Sequence, residues 1–475
     1  MNNKKTGGTG VLNLQRRAFL QRSAYMSAAL GTVGPFALNL ATMGEAAAQT
    51  AGNSDYKALV CVFLVGGNDY GNTLIPFDNT NYNAYQAIRG SLAYQQSALA
   101  GTVLTPKIPL PNSRQMALAP ELAPLKSIFD AGKMSVLLNI GSLIEPITLA
   151  QYFANSAAVP PKLFSHIDQQ NFWQSSNPNG ATSGWGGRIG DLFLSGNGGS
   201  LFTAMSINGN ATFLSGNSVA QYDTTSSGAI KMSGVSGSLF GSPQGAQALL
   251  ALSTQARSNV LENAYTSMVQ KSITGTAQMS AALAGIPAIT TPFDQTNSLA
   301  KQLQMVAKLI AARGSLNVKR QVFFVSLGGF DNHDGLATAH PPLLTSVANA
   351  LSSFYNATVE LGVANQVTAF TASDFGRTLA INGDGADHGW GSHHFVLGGA
   401  VAGQSFQGIL PAIAVNGPDD VGQGRLLPTT AVDQLGAALA SWFGVSAGNM
   451  STVLPYSGNF DLTALKLFTA TTAQA

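Results

Sequence analysis

Three apolar runs that each stop at small residues and an acid constrain the fold of this chain most. They span 56–65 (YKALVCVFLV), 320–327 (RQVFFVSL) and 367–370 (VTAF). Unbroken apolar runs rich in β-branched residues are typical of parallel strands covered on both faces. A further run at 134–140 and helical spacing between the runs continue an alternation of strands and helices. The pattern predicts an α/β fold with a large, mostly parallel central sheet flanked by helices.

Acidic and histidine side chains follow these runs directly. Asp69 follows the first run, Asp331 and His333 follow the second, and Asp374 follows the third, with His388 further on. Because the carboxyl ends of parallel strands meet at one edge of a sheet, we expect these residues to lie near one another. The Asp331 and His333 pair suits zinc, manganese or iron. The pattern therefore predicts a metal site at this edge.

Each of these residues taken alone also fits a purely structural role. Asp69 stands beside glycines and can form a turn, as can the segment that carries His333. Asp374 can pair with Arg377 three residues later. Only their repeated position after a strand favours the metal site.

The stretch 366–400 is the densest in candidate site residues. It carries three of the six histidines of the chain, His388, His393 and His394. The last two can instead form a half-buried pair that packs on Trp390. In a functional site, Arg377, His393 or His394 would neutralise the oxygens of an anionic substrate or carry protons.

The segment 162–173 (KLFSHIDQQNFW) offers a candidate nucleophile at the start of a helix. Ser165 can cap the helix, with Asp168 at the third helical position, or its hydroxyl can act as a nucleophile favoured by the helix dipole. We expect Ser165 rather than His166 to be the functional residue, because a cationic imidazole is disfavoured at a helix N-terminus.

The first 48 residues are predicted to be a twin-arginine signal peptide. Paired arginines, Arg16 and Arg17, precede a weakly apolar run over 24–43 and a small-residue cleavage site at 46–48. An amphipathic helix or a permanent membrane anchor is the alternative, and no other apolar run is long enough to span a bilayer. We expect the twin-arginine translocase as a partner and a periplasmic or extracellular location.

Residues 49–475 are predicted to form one α/β domain with a large core, since the whole chain is 45% hydrophobic and 10% charged. A Gly/Ser-rich and helical insertion is expected near 180–315, with its hairpins outside the main sheet. Removing residues 1–48 leaves 19 Lys and Arg against 21 Asp and Glu, a net charge of −2. This balance excludes a basic nucleic-acid surface. The single cysteine, Cys61, excludes an internal disulfide.

Five motifs that follow the twin-arginine segment carry a family resemblance. They read GGNDYGNT, LFSHIDQQNFWQ, GGFDNHDG, SDFGRT and DHGWGSHHFVLGGAVAG. The set resembles the exported bacterial family known as domain of unknown function number fifteen hundred and one, which is placed with the alkaline phosphatase and sulfatase superfamily. The resemblance implies an alkaline phosphatase-like fold with two metal ions. It implies that Asp69 is the metal ligand after the first strand, that Asp331 and His333 bind one metal and Asp374 the other, and that His388 is the histidine ligand nearest the C-terminus. Ser165 is implied to be the nucleophile. Phe375 stands where the superfamily has a histidine, and the chain lacks the cysteine motif that sulfatases convert to formylglycine.

Taken together, the residues and the resemblance predict an exported metal-dependent hydrolase or transferase that acts on a phosphate or sulfate ester. The expected cofactor is a divalent ion: zinc, manganese, magnesium or calcium. The competing interpretation is a non-catalytic exported binding or envelope-assembly protein that keeps the fold with a degraded site.

Overall fold

A ten-stranded sheet forms the centre of the computed structural model, which describes residues 55–177, 180–235 and 237–469. The strands are β1 Lys57–Leu64, β2 Leu74–Pro76, β3 Met116–Leu118, β4 Met134–Gly141, β5 Ala204–Ser206, β6 Tyr222–Thr225, β7 Gly228–Ala229, β8 Arg320–Leu327, β9 Val367–Ser373, β10 Ser392–Gly398, β11 Ser405–Gln407 and β12 Thr430–Ala431. The α-helices are α1 Asn79–Arg89, α2 Gln96–Leu99, α3 Ala123–Asp130, α4 Leu149–Ala154, α5 His166–Ser175, α6 Trp185–Phe193, α7 Pro243–Thr254, α8 Val260–Ala284, α9 Ser298–Ala311, α10 Leu336–Glu360, α11 Val432–Phe443 and α12 Met450–Val453. The predicted signal peptide, residues 1–48, lies outside the described residues.

The strand order is β11-β4-β10-β9-β1-β8-β5-β6-β7, with β12 also paired to β4, while β2 and β3 form a separate two-stranded sheet. β1 runs parallel to both of its neighbours, so that Leu64 lies opposite Leu327 on β8 and Ser373 on β9. Only β10 and β7 run antiparallel to their neighbours in this sheet. The predicted α/β class with a mostly parallel sheet is confirmed, and the carboxyl ends of β1, β8 and β9 share one edge.

Helices cover both faces of the sheet, as the unbroken apolar runs predicted. Along β1, Val60 and Val62 pack into one core cluster with α3, α9 and α10, whereas Leu59 and Phe63 pack into a second cluster with α6 and α11. Alternate residues of a strand point to opposite faces. Burying each large apolar side chain stabilises the fold by about 1.5–3 kcal/mol, which is why both faces must be apolar. Among the described residues, no helix combines the length and the apolarity that crossing a bilayer requires.

Two local predictions were wrong. The stretch 180–241 was placed outside the main sheet, but β5 pairs in parallel with β8 and so extends that sheet. Its strand signal is weak because only three residues are paired. From the sequence alone, the Pro341-Pro342 pair predicts a helix that begins at Pro342, yet α10 begins at Leu336 after Gly335, whose φ is 61°. His340, whose place directly before the two prolines predicts a loop, is therefore a buried helix residue.

Asp433, in the first turn of α11, is expected to make stability depend on pH. The carboxyl is fully buried, and the Ser176 hydroxyl donates one hydrogen bond shared between its two oxygens, each 2.8 Å from Ser176 Oγ. Burial raises its pKa to about 7 from an ordinary value of 3.8. Unfolding therefore releases a proton between about pH 4 and pH 7, so this group lowers the free energy of unfolding as pH rises through that window.

Asp433→Asn, an isostere of the protonated acid, should flatten this part of the pH profile. Chemical denaturation at pH 4 and at pH 8 should show that the free energy of unfolding falls by on the order of 4 kcal/mol more for wild type than for the variant. Equal slopes for the two proteins would contradict the assignment.

Candidate metal centre

Three imidazoles converge on one carboxylate at the carboxyl edge of the sheet. The Asp331 Oδ1 atom lies 3.1 Å from His333 Nε2, 3.2 Å from His388 Nε2 and 3.4 Å from His166 Nε2. His333 Nε2 and His388 Nε2 are themselves 2.8 Å apart. Potential ligand atoms of His166, Asp331 and His388 all lie within 4.8 Å of one another. The Asp331 side chain is 48% exposed, so the cluster opens to solvent.

The loops that follow β1 and β8 are pressed together beneath this cluster. Gly66 has a φ of 120°, and a Cβ atom on it would lie 2.4 Å from the backbone nitrogen of Asp331. Only glycine accommodates both the positive φ and the lack of room for a Cβ atom. Arg377, which is completely buried, then joins the two loops by donating hydrogen bonds to the Gly66 and Phe330 carbonyls and to the Asp331 carboxylate. The local sequence thus places Asp331 by backbone contact and by an ion pair.

His166, the first residue of α5, is held by Asp374. His166 Nδ1 lies 2.6 Å from Asp374 Oδ2, and Gln170, one helical turn later, donates to the same oxygen at 2.8 Å. The other oxygen, Oδ1, accepts from the Gly66 N–H at 3.1 Å. Because Asp374 accepts from His166 Nδ1, the Nε2 atom of His166 is the one that faces Asp331.

His388 is oriented in the same way by a backbone carbonyl. Its Nδ1 lies 2.7 Å from the Phe164 oxygen, and a carbonyl can only accept, so the proton is on Nδ1 and the Nε2 lone pair faces Asp331. Phe164 itself has a φ of 73°, a left-handed conformation that is uncommon for an aromatic residue. Phe375 packs against both imidazoles, with ring centroids 4.9 Å from His166 and 4.6 Å from His388.

The pKa values of the groups in the cluster are shifted in different directions. The hydrogen bond to Asp374 raises the pKa of His166, whereas burial lowers the pKa of His388. Burial also raises the pKa of the Asp331 carboxyl, but the hydrogen bond and charge of Arg377 outweigh that effect and leave it below its ordinary value. Asp331 is therefore an anion at neutral pH.

This donor set fits a divalent metal ion. Nε2 atoms of His166 and His388 and a carboxylate oxygen of Asp331 form a nitrogen-rich set of three, and His333 Nε2 lies beside it, 3.1 Å from Asp331 Oδ1. Such a set suits zinc or another first-row transition metal. Two of the histidines have their second nitrogen bonded to an acceptor, as is usual for metal ligands.

Asp374 is placed behind a ligand and does not face the cluster opening. Its side chain is fully buried, and both of its oxygens accept hydrogen bonds from protein groups. We therefore expect Asp374→Asn to weaken metal binding about 10–100-fold, the usual cost of losing such a partner, without abolishing it. Titration with zinc measured by calorimetry would check this. A complete loss of binding would instead support the direct ligand role that the sequence predicted.

The structure places two other predicted site residues in structural ion pairs. Asp69 is buried against Arg89 on α1, and its second oxygen accepts from the Gly71 N–H. Arg377 donates to protein oxygens and has no exposed surface, so it holds Asp331 and cannot reach the oxygens of a substrate in this arrangement.

His393 and His394 lie on β10 within the core, where the sequence had suggested proton transfer or contact with ester oxygens. His393 Nδ1 accepts from the Asn139 N–H and the ring packs edge-on to Tyr70, while His394 packs edge-on to Trp173. Burial lowers the pKa of each to about 3, so both are neutral. The structure does not bring them into the cluster.

Ser165 is the N-cap residue of α5, but its hydroxyl does not bond to the helix N–H groups. It donates instead to Asp168 Oδ2 at 2.5 Å. Of the predicted ligands, the cluster contains Asp331, His333 and His388.

His166 was missed because its position at a helix N-terminus argued against a cation. Its pairing with Asp374 removes that objection. The i, i+4 spacing of His166 and Gln170 was the available signal, since both side chains lie on one helix face and bond to the same oxygen.

Comparisons with known proteins place the chain in a family. No curated protein gave a significant match. Solved structures that align with the chain include the lipoteichoic acid synthase LtaP from Listeria monocytogenes, at 8% identity and a TM-score of 0.34, covering 85% of this chain and 78% of that one. A sulfatase from Pseudoalteromonas sp. aligns at 9% identity and a TM-score of 0.32, covering 85% and 72%. The model of the family described as protein of unknown function, DUF1501, matches residues 56–450, so the chain belongs to the DUF1501 family.

Proposed function

We propose that this protein is an exported metal-dependent hydrolase or transferase that acts on a phosphate or sulfate ester. The observation that carries the proposal is the convergence of the Nε2 atoms of His166, His333 and His388 on one oxygen of Asp331. A divalent ion held there would polarise an ester oxygen and stabilise the charge that develops during attack.

The residues around the cluster orient its ligands and keep water away from its inner side. Asp374 and the Phe164 carbonyl fix which nitrogen of His166 and of His388 carries the proton. Arg377 keeps Asp331 ionised and in place. Phe375 covers the inner side of the two rings, while the exposed side of Asp331 leaves access from solvent.

Ser165 is the proposed nucleophile. It precedes His166 directly, and its hydroxyl donates to the Asp168 carboxylate, which can accept the proton as Ser165 Oγ bonds to the phosphorus or sulfur. The alcohol of the ester leaves and takes up that proton, and water or a second alcohol then removes the transferred group from Ser165. The Ser165 hydrogen bond lowers the pKa of Asp168, so that carboxylate is ionised at neutral pH.

Export rests on the paired arginines and the cleavage pattern of residues 1–48. Twin-arginine export carries folded proteins, so the metal would be inserted in the cytoplasm. The site would then act in the periplasm or outside the cell.

Metal analysis of the purified protein, folded in the cytoplasm, tests the proposal most directly. We expect at least one transition-metal ion per chain and turnover on a panel of phosphate and sulfate esters. A chelator should abolish the turnover, and adding back the metal should restore it. A metal-free protein with no turnover on the panel would favour the non-catalytic binding protein.

A further inference from the structure

An anionic ester at the metal centre needs a cation that can contact its oxygens. The centre carries the Asp331 carboxylate, so the ester brings further negative charge to a site that already holds an anion. Arg377 is fully buried and paired with Asp331. Lys162 is 74% exposed and pairs with Asp168 at 3.4 Å. Both of these cations are therefore engaged with carboxylates of the protein.

Arg425 lies in the loop between β11 and β12, where a short turn fixes its backbone. Its N–H donates to the Gly422 carbonyl at 3.1 Å, and its carbonyl accepts from the Val421 N–H at 3.0 Å. The Asp420 carboxylate accepts from the Gly422 N–H at 2.6 Å and so closes the turn. The place of Arg425 in the fold is therefore set by contacts that do not involve its side chain.

The Arg425 guanidinium contacts both chain segments that border the metal centre on this side. Nε donates to the His388 carbonyl at 2.7 Å, and Cζ lies 4.9 Å from the centroid of the Phe164 ring. Phe164 supplies the carbonyl that orients His388 Nδ1, and it directly precedes Ser165. An ester attacked by Ser165 at the metal would lie between these same two segments, beside the guanidinium.

The outer end of the guanidinium retains an unused donor. Nη1 donates to the Gly422 carbonyl at 3.3 Å, whereas Nη2 forms no hydrogen bond with the described residues and is not buried. Arg425 is half-buried, yet its contacts within the described chain include no carboxylate. Taking a cation partly out of water costs free energy that a paired anion usually offsets. Arg425 thus offers an oriented positive charge that no anion of the described chain balances.

We propose that Arg425 binds the phosphate or sulfate group of the ester, with Nη2 donating to one of its non-bridging oxygens. This inference rests on the proposed function, in which the ester group lies at the metal centre. A guanidinium suits the task because it is planar, always charged and able to donate to two oxygens of a tetrahedral anion. The contacts with His388 and Phe164 hold the side chain in place, so little conformational freedom is lost when the anion binds.

A purely structural role for Arg425 predicts a different result. If the side chain only held the loop against His388, its removal would disturb that ligand and weaken metal binding. If it binds the ester group, its removal weakens anion binding by a protein that keeps its metal. Metal content and anion affinity, measured on the same samples, therefore separate the two roles.

Calorimetric titration of wild type, Arg425→Gln and Arg425→Lys with inorganic phosphate and, separately, with inorganic sulfate tests the proposal. Glutamine keeps a donor at the position of Nε, for the His388 carbonyl, and removes both Nη atoms and the charge. We expect Arg425→Gln to bind the preferred anion about 10–100-fold more weakly, the usual effect of losing a hydrogen bond from a charged group. Metal content should stay at the wild-type value. Arg425→Lys keeps the charge without the planar fork and should bind with intermediate affinity.

Arg257→Gln is the matched control. Arg257 is exposed between α7 and α8, donates to the Leu252 carbonyl, and its replacement changes the net charge by the same amount. Anion affinity should be unchanged in this variant. Unchanged affinity in Arg425→Gln, or loss of its metal together with the anion, would overturn the role of Arg425 and leave the proposed function standing.

Failure of the proposed function gives a separate result. A wild type with neither metal nor turnover rejects that function. Weaker anion binding by Arg425→Gln than by such a wild type would still support Arg425 as the anion-binding residue, whereas a wild type that binds neither anion would overturn it.

Discussion

His166→Ala is expected to remove both metal binding and ester turnover. The imidazole supplies one of three nitrogens around Asp331. Without it, Asp374 also loses the hydrogen-bond partner that separates it from the cluster. Turnover should fall by orders of magnitude, since the charge that develops on the ester would lose its stabilisation. Metal content by mass spectrometry and turnover on the ester panel should fall together.

Substitutions at the two neighbouring residues serve as controls for this experiment. Ile167→Ala changes a 74% exposed side chain on the same helical turn and should leave metal content and turnover unchanged. Ser165→Ala should keep the metal and lose turnover if the serine attacks the ester. Full turnover in Ser165→Ala would point to attack by water, and metal retained in His166→Ala would remove His166 from the ligand set.

Arg89→Met is expected to be the most destabilising single substitution considered. Arg89 and Asp69 are both fully buried and form an ion pair, so methionine leaves an unpaired carboxylate in the core. Breaking one partner of a buried pair costs about 3–5 kcal/mol. Arg89 also donates to the carbonyls of Thr378 and Leu379, in the loop that continues from Arg377. Urea denaturation should show a clear fall in the midpoint.

The double variant Arg89→Met with Asp69→Asn should recover much of the lost stability. Asparagine removes the buried charge, and its carbonyl oxygen can still accept the Gly71 N–H. The same variants separate the two roles of Asp69. If the double variant folds and keeps its metal, Asp69 is a structural residue; if it folds and loses the metal, the ligand role predicted from the sequence holds. A double variant no more stable than Arg89→Met would contradict the buried-charge explanation.

Sequence patterns identified the strands that build the site because those strands are buried on both faces. β8 begins and ends where its apolar run does, and β1 differs by one residue at each end. β5 escaped recognition because a three-residue strand has too few side chains to show a pattern. Asp331 and His333 were identified in the same way, because they follow a long buried strand. His388 was identified because it lies in the stretch that is rich in histidines.

What the sequence alone determined was the fold class and the sheet edge at which functional groups collect. Continuous burial on both faces of a strand leaves a composition that few other structures share. Which groups at that edge face one another was decided by the tertiary structure. The placement of Asp69 against Arg89 and of His166 against Asp374 depends on contacts between residues 20 and 208 positions apart. Local spacing carries no information on such contacts, because they arise only when loops from separate strands are packed against one another.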